Sequence, residues 1–206
     1  MNPKRISLGY DLRTNPSLLK VNPSQEKQSL APGVWNPISA DPSVWLAPEG
    51  AEYLRQGVLP HFFNPLYLAN SLNQLADEYT RQGISTAGLW PISITTCETN
   101  IVALVERYGS GYFEDHSEEA ELLSQGWRSM GFDVVDFDGL ISGLKGCGYV
   151  EPARSQLRTH FGGSLNEHGL LPDVATAAQF AEVRGLEIRD HSPFVVVGVL
   201  TNEPSS

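Results

Sequence analysis

The sequence predicts an α+β, or irregular α/β, domain with a few buried strands and about four helices, preceded by a Pro-rich N-terminal arm. Apolar residues recur at helical spacing in several segments, which is typical of helices packed on a core. A short, almost wholly apolar run near the end suits a buried strand. Eight of the fourteen prolines fall within residues 1–60, where they interrupt regular structure.

Residues 1–60 are therefore predicted to be an extended arm that packs partly on the body, and residues 61–206 to be the globular domain. Trp35 and Trp45 would be poorly placed in water, so part of the arm should wrap the body. The very start of the chain, up to residue 30, is expected to be the most mobile part. Residues 48–57 are predicted to form a short helix within the arm.

The first helix of the body is predicted over residues 64–83. Asn64 can cap it, Pro65 suits the first helical position, and Gly83 can end it in a left-handed conformation. Its apolar residues fall at i, i+4, i+7, i+8 and i+11 and form one stripe: Leu68, Leu72, Leu75, Ala76 and Tyr79. This pattern predicts a helix that packs on the core.

Two shorter segments are also predicted to be helical. Residues 98–109 favour a short buried helix, stopped by Gly109, over a strand. Residues 172–185 should form a helix that stops at Gly185. The face of this second helix that points inward is predicted to consist of Val174, Ala177, Ala178 and Ala181.

A further helix is predicted over residues 116–132. Ser117 can cap it, and acidic residues in its first turn suit the helix dipole. Gly126 weakens this helix by about 1 kcal/mol relative to alanine. Its buried face is predicted to consist of Leu122, Leu123, Trp127 and Met130.

Three strands are predicted from β-branched and apolar runs. Residues 85–96 read as a strand broken at Pro91, and residues 133–137 as a short strand. Residues 193–200 are nearly all apolar, which predicts a central strand buried on both faces. No internal repeat is evident in the sequence.

The charge of the chain bears on its partners. The formal net charge is −10, and residues 1–30 hold five basic and two acidic side chains, a sum of +3, which leaves −13 for the remainder. Such a body repels nucleic-acid phosphates, so no nucleic-acid partner is expected. It attracts basic proteins and speeds their encounter at low salt.

The acidic run EDHSEEAE at 114–121 packs five carboxylates into eight residues. One interpretation is a solvated helix N-terminus. The other is a docking patch for lysines and arginines of a partner protein. The partner-binding residues predicted on that basis are Glu114, Asp115, Glu118, Glu119 and Glu121.

Membrane, metal and cofactor sites are not expected. No stretch approaches the roughly 20 apolar residues that span a bilayer. The basic start lacks the apolar segment of a secretory signal, so a cytoplasmic location is expected. Two cysteines and five histidines, without CxxC or HxxxH spacing, predict neither a metal site nor a cofactor.

A rival hypothesis is a small hydrolase or transferase. Cys147, in the glycine-rich run SGLKGCGY at 142–149, would be its nucleophile, and one of His160, His168 or His191 its base. The spacing selects none of the three histidines. The same glycines also suit a tight turn around a small buried cysteine.

A metal-dependent version of the rival uses VVDFDGLIS at 134–142. This stretch resembles the first motif of haloacid dehalogenase-like phosphatases, which implies Asp136 as nucleophile and Asp138 as acid/base, with magnesium between carboxylates. Leu140 stands where that motif has threonine, and no later acidic pair completes the magnesium site. These departures speak against the phosphatase hypothesis.

Three stretches, GFDVVDFDGLISGLKGCGY, LNEHGLL and DHSPFVVVGVL, resemble a group of small bacterial proteins with no established activity. Members share SGLxxCGY, LNExGLL and HxPFxVxG segments. The resemblance implies bacterial origin and a single domain, and favours a structural turn at SGLKGCGY. It implies no catalytic residue.

Taken together, these observations favour a cytoplasmic bacterial interaction protein of the immunity type, which neutralises a basic effector or toxin. Such a protein needs a rigid fold, complementary charge and a few buried anchors, but no catalytic apparatus. A structural subunit whose arm docks on a neighbour through its tryptophans is the remaining alternative.

Overall fold

The computed structural model describes residues 4–14, 30, 68–109, 117–136, 142–144, 152–187 and 193–202. The strands within these ranges form one antiparallel sheet in the order β1-β2-β4-β3. They are β1 (Arg5–Thr14), β2 (Leu89–Cys97), β3 (Arg128–Asp136) and β4 (Phe194–Thr201). The α+β prediction is confirmed, and β4 is an inner strand as predicted.

Five α-helices lie within the same described ranges. They are α1 (Leu72–Arg81), α2 (Glu98–Tyr108), α3 (Glu119–Ser124), α4 (Ala153–Phe161) and α5 (Val174–Glu187). A 3-10 turn, Gly162–Ser164, follows α4. The prediction of α2 is confirmed, whereas α4 was not predicted, because Leu157 and Phe161 are its only buried residues.

The chain divides into two compact units. Unit 1 comprises residues 1–18, 41–129 and 199–206, and unit 2 comprises residues 19–40 and 130–198. Unit 1 therefore holds β1, β2 and the first three helices. Unit 2 holds α4, α5 and most of β3 and β4.

Strand β1 corrects the expectation for the start of the chain. Every residue from Ile6 to Arg13 is buried, and the strand pairs with β2 from Arg5↔Cys97 to Thr14↔Leu89. The expected mobility is therefore wrong for these residues, because the strand is paired along its length. Trp35, Trp45 and the helix predicted at 48–57 lie outside the described residues.

Helix α1 begins later than predicted. Ser71 caps it by accepting a hydrogen bond from the backbone N of Gln74 at 3.5 Å, and Leu68 precedes the helix instead of joining its stripe. The predicted start at Asn64 and Pro65 lies outside the described residues. Gly83 has the left-handed conformation predicted for it, with φ 71°.

The helix predicted over 116–132 is wrong in length. Helix α3 ends at Ser124, and β3 starts four residues later. Ser117 is not the cap, since Glu118 takes that position without a side-chain bond. Gly126 has φ 94° in the turn after α3, where the backbone N of Trp127 donates to the carbonyl of Leu122 at 3.1 Å.

Helix α5 differs from its prediction in where it ends and in which side chains it buries. It runs through Gly185, and its fully buried side chains are Ala177, Phe180 and Arg184. Val174 and Ala178 were predicted to face inward, but both are exposed. The bulky ring of Phe180 packs into the core of unit 2 and sets the rotation of the helix.

Strand β2 is not broken at Pro91. Its carbonyl oxygen accepts hydrogen bonds from Thr201 Oγ1 at 3.0 Å and from the backbone N of Asn202 at 3.2 Å. Because the N–H and C=O of a strand residue point to the same side, the missing N–H of Pro91 faces the end of β4. Pairing with β1 therefore continues past the proline, at Leu12.

Each unit has its own apolar core. One cluster of buried residues in unit 1 consists of Tyr10, Leu122, Trp127 and Leu200, with Leu72 packed against it. One cluster in unit 2 consists of Leu30, Val134, Leu144, Leu157, Phe161, Leu171, Ala177 and Phe180. These clusters supply the apolar burial that stabilises each unit.

Strands β1 and β3 share a local pattern. Each has a glycine with positive φ, then an aromatic residue, then a buried aspartate: Gly9-Tyr10-Asp11 and Gly131-Phe132-Asp133. In each strand the aspartate Oδ1 accepts a hydrogen bond from the next backbone N, at 2.7 Å in β1 and 2.6 Å in β3.

The pattern extends to the helix of each unit. In unit 1, Tyr10 forms an isolated β-bridge with Ala69, two residues before the N-cap Ser71. In unit 2, Phe132 forms an isolated β-bridge with Leu171, two residues before Asp173. Asp173 accepts a hydrogen bond from the backbone N of Thr176, as Ser71 does from that of Gln74. The units thus repeat one strand–helix arrangement, contrary to the expectation from sequence. The repeat is hidden there because few of the equivalent residues are identical.

Two of the stretches behind the family resemblance hold β3 in place. Gly143 N donates to Val134 O at 2.7 Å, and a Cβ on Gly143 would lie 2.8 Å from that oxygen. Asn166 Nδ2 donates to Met130 O at 2.7 Å, while its Oδ1 accepts from the backbone N of Leu170 at 3.1 Å. A tight turn at 142–144 agrees with these contacts, and Cys147 lies outside the described residues.

Candidate functional site

The predicted acidic patch is attached to the start of β1. The backbone N of Ser7 donates to Ser117 O at 2.9 Å, and Ile6 forms an isolated bridge with Glu118. Glu118 caps α3, and Glu119 and Glu121 lie in its first turn. The other two predicted members, Glu114 and Asp115, lie outside the described residues.

Glu119 is engaged within the chain. Arg5 Nε lies 2.8 Å from Glu119 Oε2, and their side chains are only 9% and 17% exposed. Thr95 Oγ1 donates to the same carboxylate oxygen, and Arg5 Nη2 donates to Thr95 O at 2.9 Å. This network joins β1, β2 and α3, so Glu119 acts as an internal support.

Glu118 forms a more exposed pair. Lys4 Nζ lies 2.8 Å from Glu118 Oε1, and the two side chains are 45% and 50% exposed. The pKa of Lys4 is raised above its ordinary value, first because Glu118 accepts its hydrogen bond and attracts its charge, and to a smaller extent because of Glu98. Lys4 therefore pairs with Glu118 and is attracted more weakly by Glu98, which belongs to a different helix.

Glu98 is a member that the sequence did not indicate. It is the first residue of α2, and its backbone N donates to Lys4 O at 3.0 Å. It lies twenty residues before Glu118 in the chain, and only the pairing of β1 with β2 brings the two helix starts to the same lysine. The sequence feature that could have indicated Glu98 is its place in the first turn of a predicted helix, where an acidic side chain is favoured.

We define the acidic surface as Glu98, Glu118 and Glu121. All three are exposed, and Glu121 accepts a hydrogen bond from Gln125 Nε2 at 3.4 Å. Two exposed apolar side chains accompany them: Val102, 57% exposed and one turn after Glu98, and Leu123, 43% exposed. Carboxylates beside exposed apolar side chains suit a basic protein partner.

Cys97 lies at the edge of the Arg5 network. It is the N-cap of α2, carries a free thiol, and its Sγ is 4.0 Å from Arg5 Nη1. The sequence did not single out Cys97, and Cys147, the other cysteine, is outside the described residues.

The residues of the rival enzyme hypothesis are only partly described. His160 is exposed on α4 against the ring of Phe161, and His168 lies in the turn before α5, 3.6 Å from Glu167. Asp136 is buried at the end of β3. His191 and Asp138 lie outside the described residues, and within those residues no three His, Cys, Asp or Glu side chains are placed to hold a metal ion.

A buried ion pair lies in unit 1. Asp11 Oδ2 is 2.8 Å from Arg13 Nε, and both side chains are almost fully enclosed. Burial raises the pKa of Asp11 against the opposing effect of Arg13, and burial lowers the pKa of Arg13. Sequence alone did not single out this pair, because both residues lie in the segment that was expected to be an arm.

Comparisons with known proteins supply no relative. No family model, curated protein or solved structure matches the chain. None of the helices in the described ranges is both long and apolar enough to cross a bilayer.

Proposed function

We propose that the chain is a bacterial, cytoplasmic protein-binding module of the immunity type, which neutralises a basic effector or toxin. The acidic surface carries this proposal. The ammonium group of Lys4 lies 2.8 Å from Glu118 and is attracted more weakly by Glu98, which begins a second helix, in a chain of net charge −10. A lysine or arginine of a partner would find the same carboxylates at this place.

The exposed face of α2 supports a partner of mixed character. Glu98, Val102 and Glu106 fall at i, i+4 and i+8, and all three are exposed. Protein interfaces commonly combine an apolar anchor with a polar rim. Val102 would serve as such an anchor, with the carboxylates around it.

The Arg5–Glu119 pair gives the surface a fixed base. Since Arg5 also donates to Thr95 O, the starts of α2 and α3 are tied to the same two strands. A rigid interface loses less conformational entropy on binding. We therefore assign Glu119 to support, and partner contact to the exposed glutamates.

The test is capture from a lysate of the native bacterial host, with bound proteins identified by mass spectrometry. Wild-type chain is compared with Glu118→Lys/Glu121→Lys and with a matched control, Glu167→Lys/Glu182→Lys, in unit 2. A basic protein retained by the wild type and the control, but lost by the first variant, is the expected result. Retention of the same proteins by all three chains contradicts the proposal.

A further inference from the structure

Unit 1 contains a surface cavity of about 330 Å³ between β1, the start of α1 and α3. Its size is at the lower end of the range for small-molecule sites. The side chains that matter for its chemistry are Tyr10, Asn70, Asn73, Ser117, Gln125 and Trp127.

The cavity offers neutral hydrogen-bonding groups. Its three amide side chains, those of Asn70, Asn73 and Gln125, carry both donors and acceptors, and Gln125 already donates one hydrogen bond to Glu121. Tyr10 donates its hydroxyl proton to Ser117 Oγ at 3.3 Å, which leaves the proton of Ser117 for another acceptor. Among the described residues that line the cavity none is charged, which suits a neutral ligand.

Two aromatic side chains form part of the wall. The rings of Tyr10 and Trp127 have centroids 5.7 Å apart and planes inclined by 53°. Tyrosine and tryptophan offer an apolar surface together with a polar group. A ligand with both hydroxyl groups and a C–H face can use the two kinds of wall.

The repeat provides an internal comparison for these residues. At the positions equivalent to Tyr10, Asn70 and Asn73, unit 2 has Phe132, Pro172 and Ala175. The strand–helix arrangement forms without the phenol hydroxyl and without either amide. The strand–helix arrangement by itself therefore does not require these polar groups.

From these observations we infer that the cavity is a binding site for a neutral monosaccharide. The amides and Ser117 bind its hydroxyl groups, and the small exposed parts of Tyr10 and Trp127, 9% and 7% exposed, contact its C–H groups. Such a site favours ligands with hydroxyl groups, because these groups pair with the amides and with Ser117. It is separate from the protein-binding role proposed above.

The test is a titration of the full chain with glucose, galactose and N-acetylglucosamine, in which two-dimensional NMR spectra monitor binding at each step. Asn73→Ala introduces the residue of unit 2 at an exposed position, and Tyr10→Phe removes only a hydroxyl. Gln156→Ala, an exposed amide on α4, is the matched control. Thermal unfolding of each variant verifies that the fold is retained.

The expected result is saturable binding of at least one sugar, with shifts at Ser117, Gln125 and Trp127. Asn73→Ala and Tyr10→Phe should each weaken binding by about tenfold, the effect of losing one or two hydrogen bonds, while Gln156→Ala binds like the wild type. Absence of saturable binding by all three sugars overturns the inference. So does equal binding by the wild type and both cavity variants.

Discussion

Gly9 and Gly131 occupy equivalent positions in the two units and both have positive φ, 139° and 128°. A Cβ on Gly9 would lie 2.8 Å from the backbone oxygen of Ala69, and a Cβ on Gly131 would lie 2.8 Å from that of Leu171. Each glycine thus allows its strand to meet the segment that leads into a helix. The next residue of the strand then forms the bridge, Tyr10 in unit 1 and Phe132 in unit 2.

The first prediction concerns these two glycines. Gly9→Ala and Gly131→Ala should each lower the free energy of unfolding by about 2–4 kcal/mol, because each combines an unfavourable φ with a backbone clash. Urea denaturation measures the change. Gly163→Ala is the control, since its Cβ would meet no atom within 4 Å, and it should change stability little. Equal effects at all three positions would contradict this explanation.

The second prediction concerns the pair Arg5–Glu119. A double-mutant cycle with Arg5→Met and Glu119→Gln should give a coupling energy of about 1–3 kcal/mol, because the pair is largely enclosed and shares its bonds with Thr95. The exposed pair Lys4–Glu118 should show no measurable coupling. Similar coupling in both pairs would mean that burial does not distinguish them.

The third prediction concerns the enclosed pair Asp11–Arg13. Arg13→Val should destabilise the chain by about 3–5 kcal/mol, because it leaves a buried carboxylate without its cation. Asp11→Asn combined with Arg13→Val removes the unpaired buried charge as well, so the double variant should recover most of the loss. If the double variant is no more stable than Arg13→Val, the pair is not the cause.

The fourth prediction gives the pH dependence of the same pair. The pKa of Asp11 is raised in the folded chain, so its contribution to stability is present at low pH and is lost as pH rises through the folded pKa. Relative to Asp11→Asn, the wild type should become less stable as pH rises above the ordinary aspartate pKa. Chemical denaturation across acidic to neutral pH measures this trend, and the opposite slope would contradict it.

Sequence patterns predicted the elements whose signals are local. The apolar run of β4 and the helical spacing around Ile101 and Leu104 both led to correct elements. Prolines later in the arm hid β1, although Ile6, Leu8 and Tyr10 alternate in the sequence as a strand requires. The proline-rich composition of residues 1–60 indicated an arm, whereas the alternation of apolar residues at 6, 8 and 10 was the signal of the strand.

Other features depend on contacts between distant segments, which a single sequence does not show. Glu98 joins Glu118 only because β1 pairs with β2. The role of Asn166 follows from its bond to Met130, thirty-six residues earlier. Of the predicted patch, Glu118 and Glu121 are exposed, whereas Glu119 is engaged by Arg5.

The most direct test of the central claim, that the acidic surface binds a basic protein, is the rate of association with the captured partner as a function of salt. Glu118→Lys/Glu121→Lys should slow association by about tenfold or more at low ionic strength, with the difference shrinking as salt screens the charges. Glu167→Lys/Glu182→Lys changes net charge equally and should have a much smaller effect. Equal slowing by both variants would show that net charge acts without a specific surface, and unchanged association in the first variant would contradict the claim.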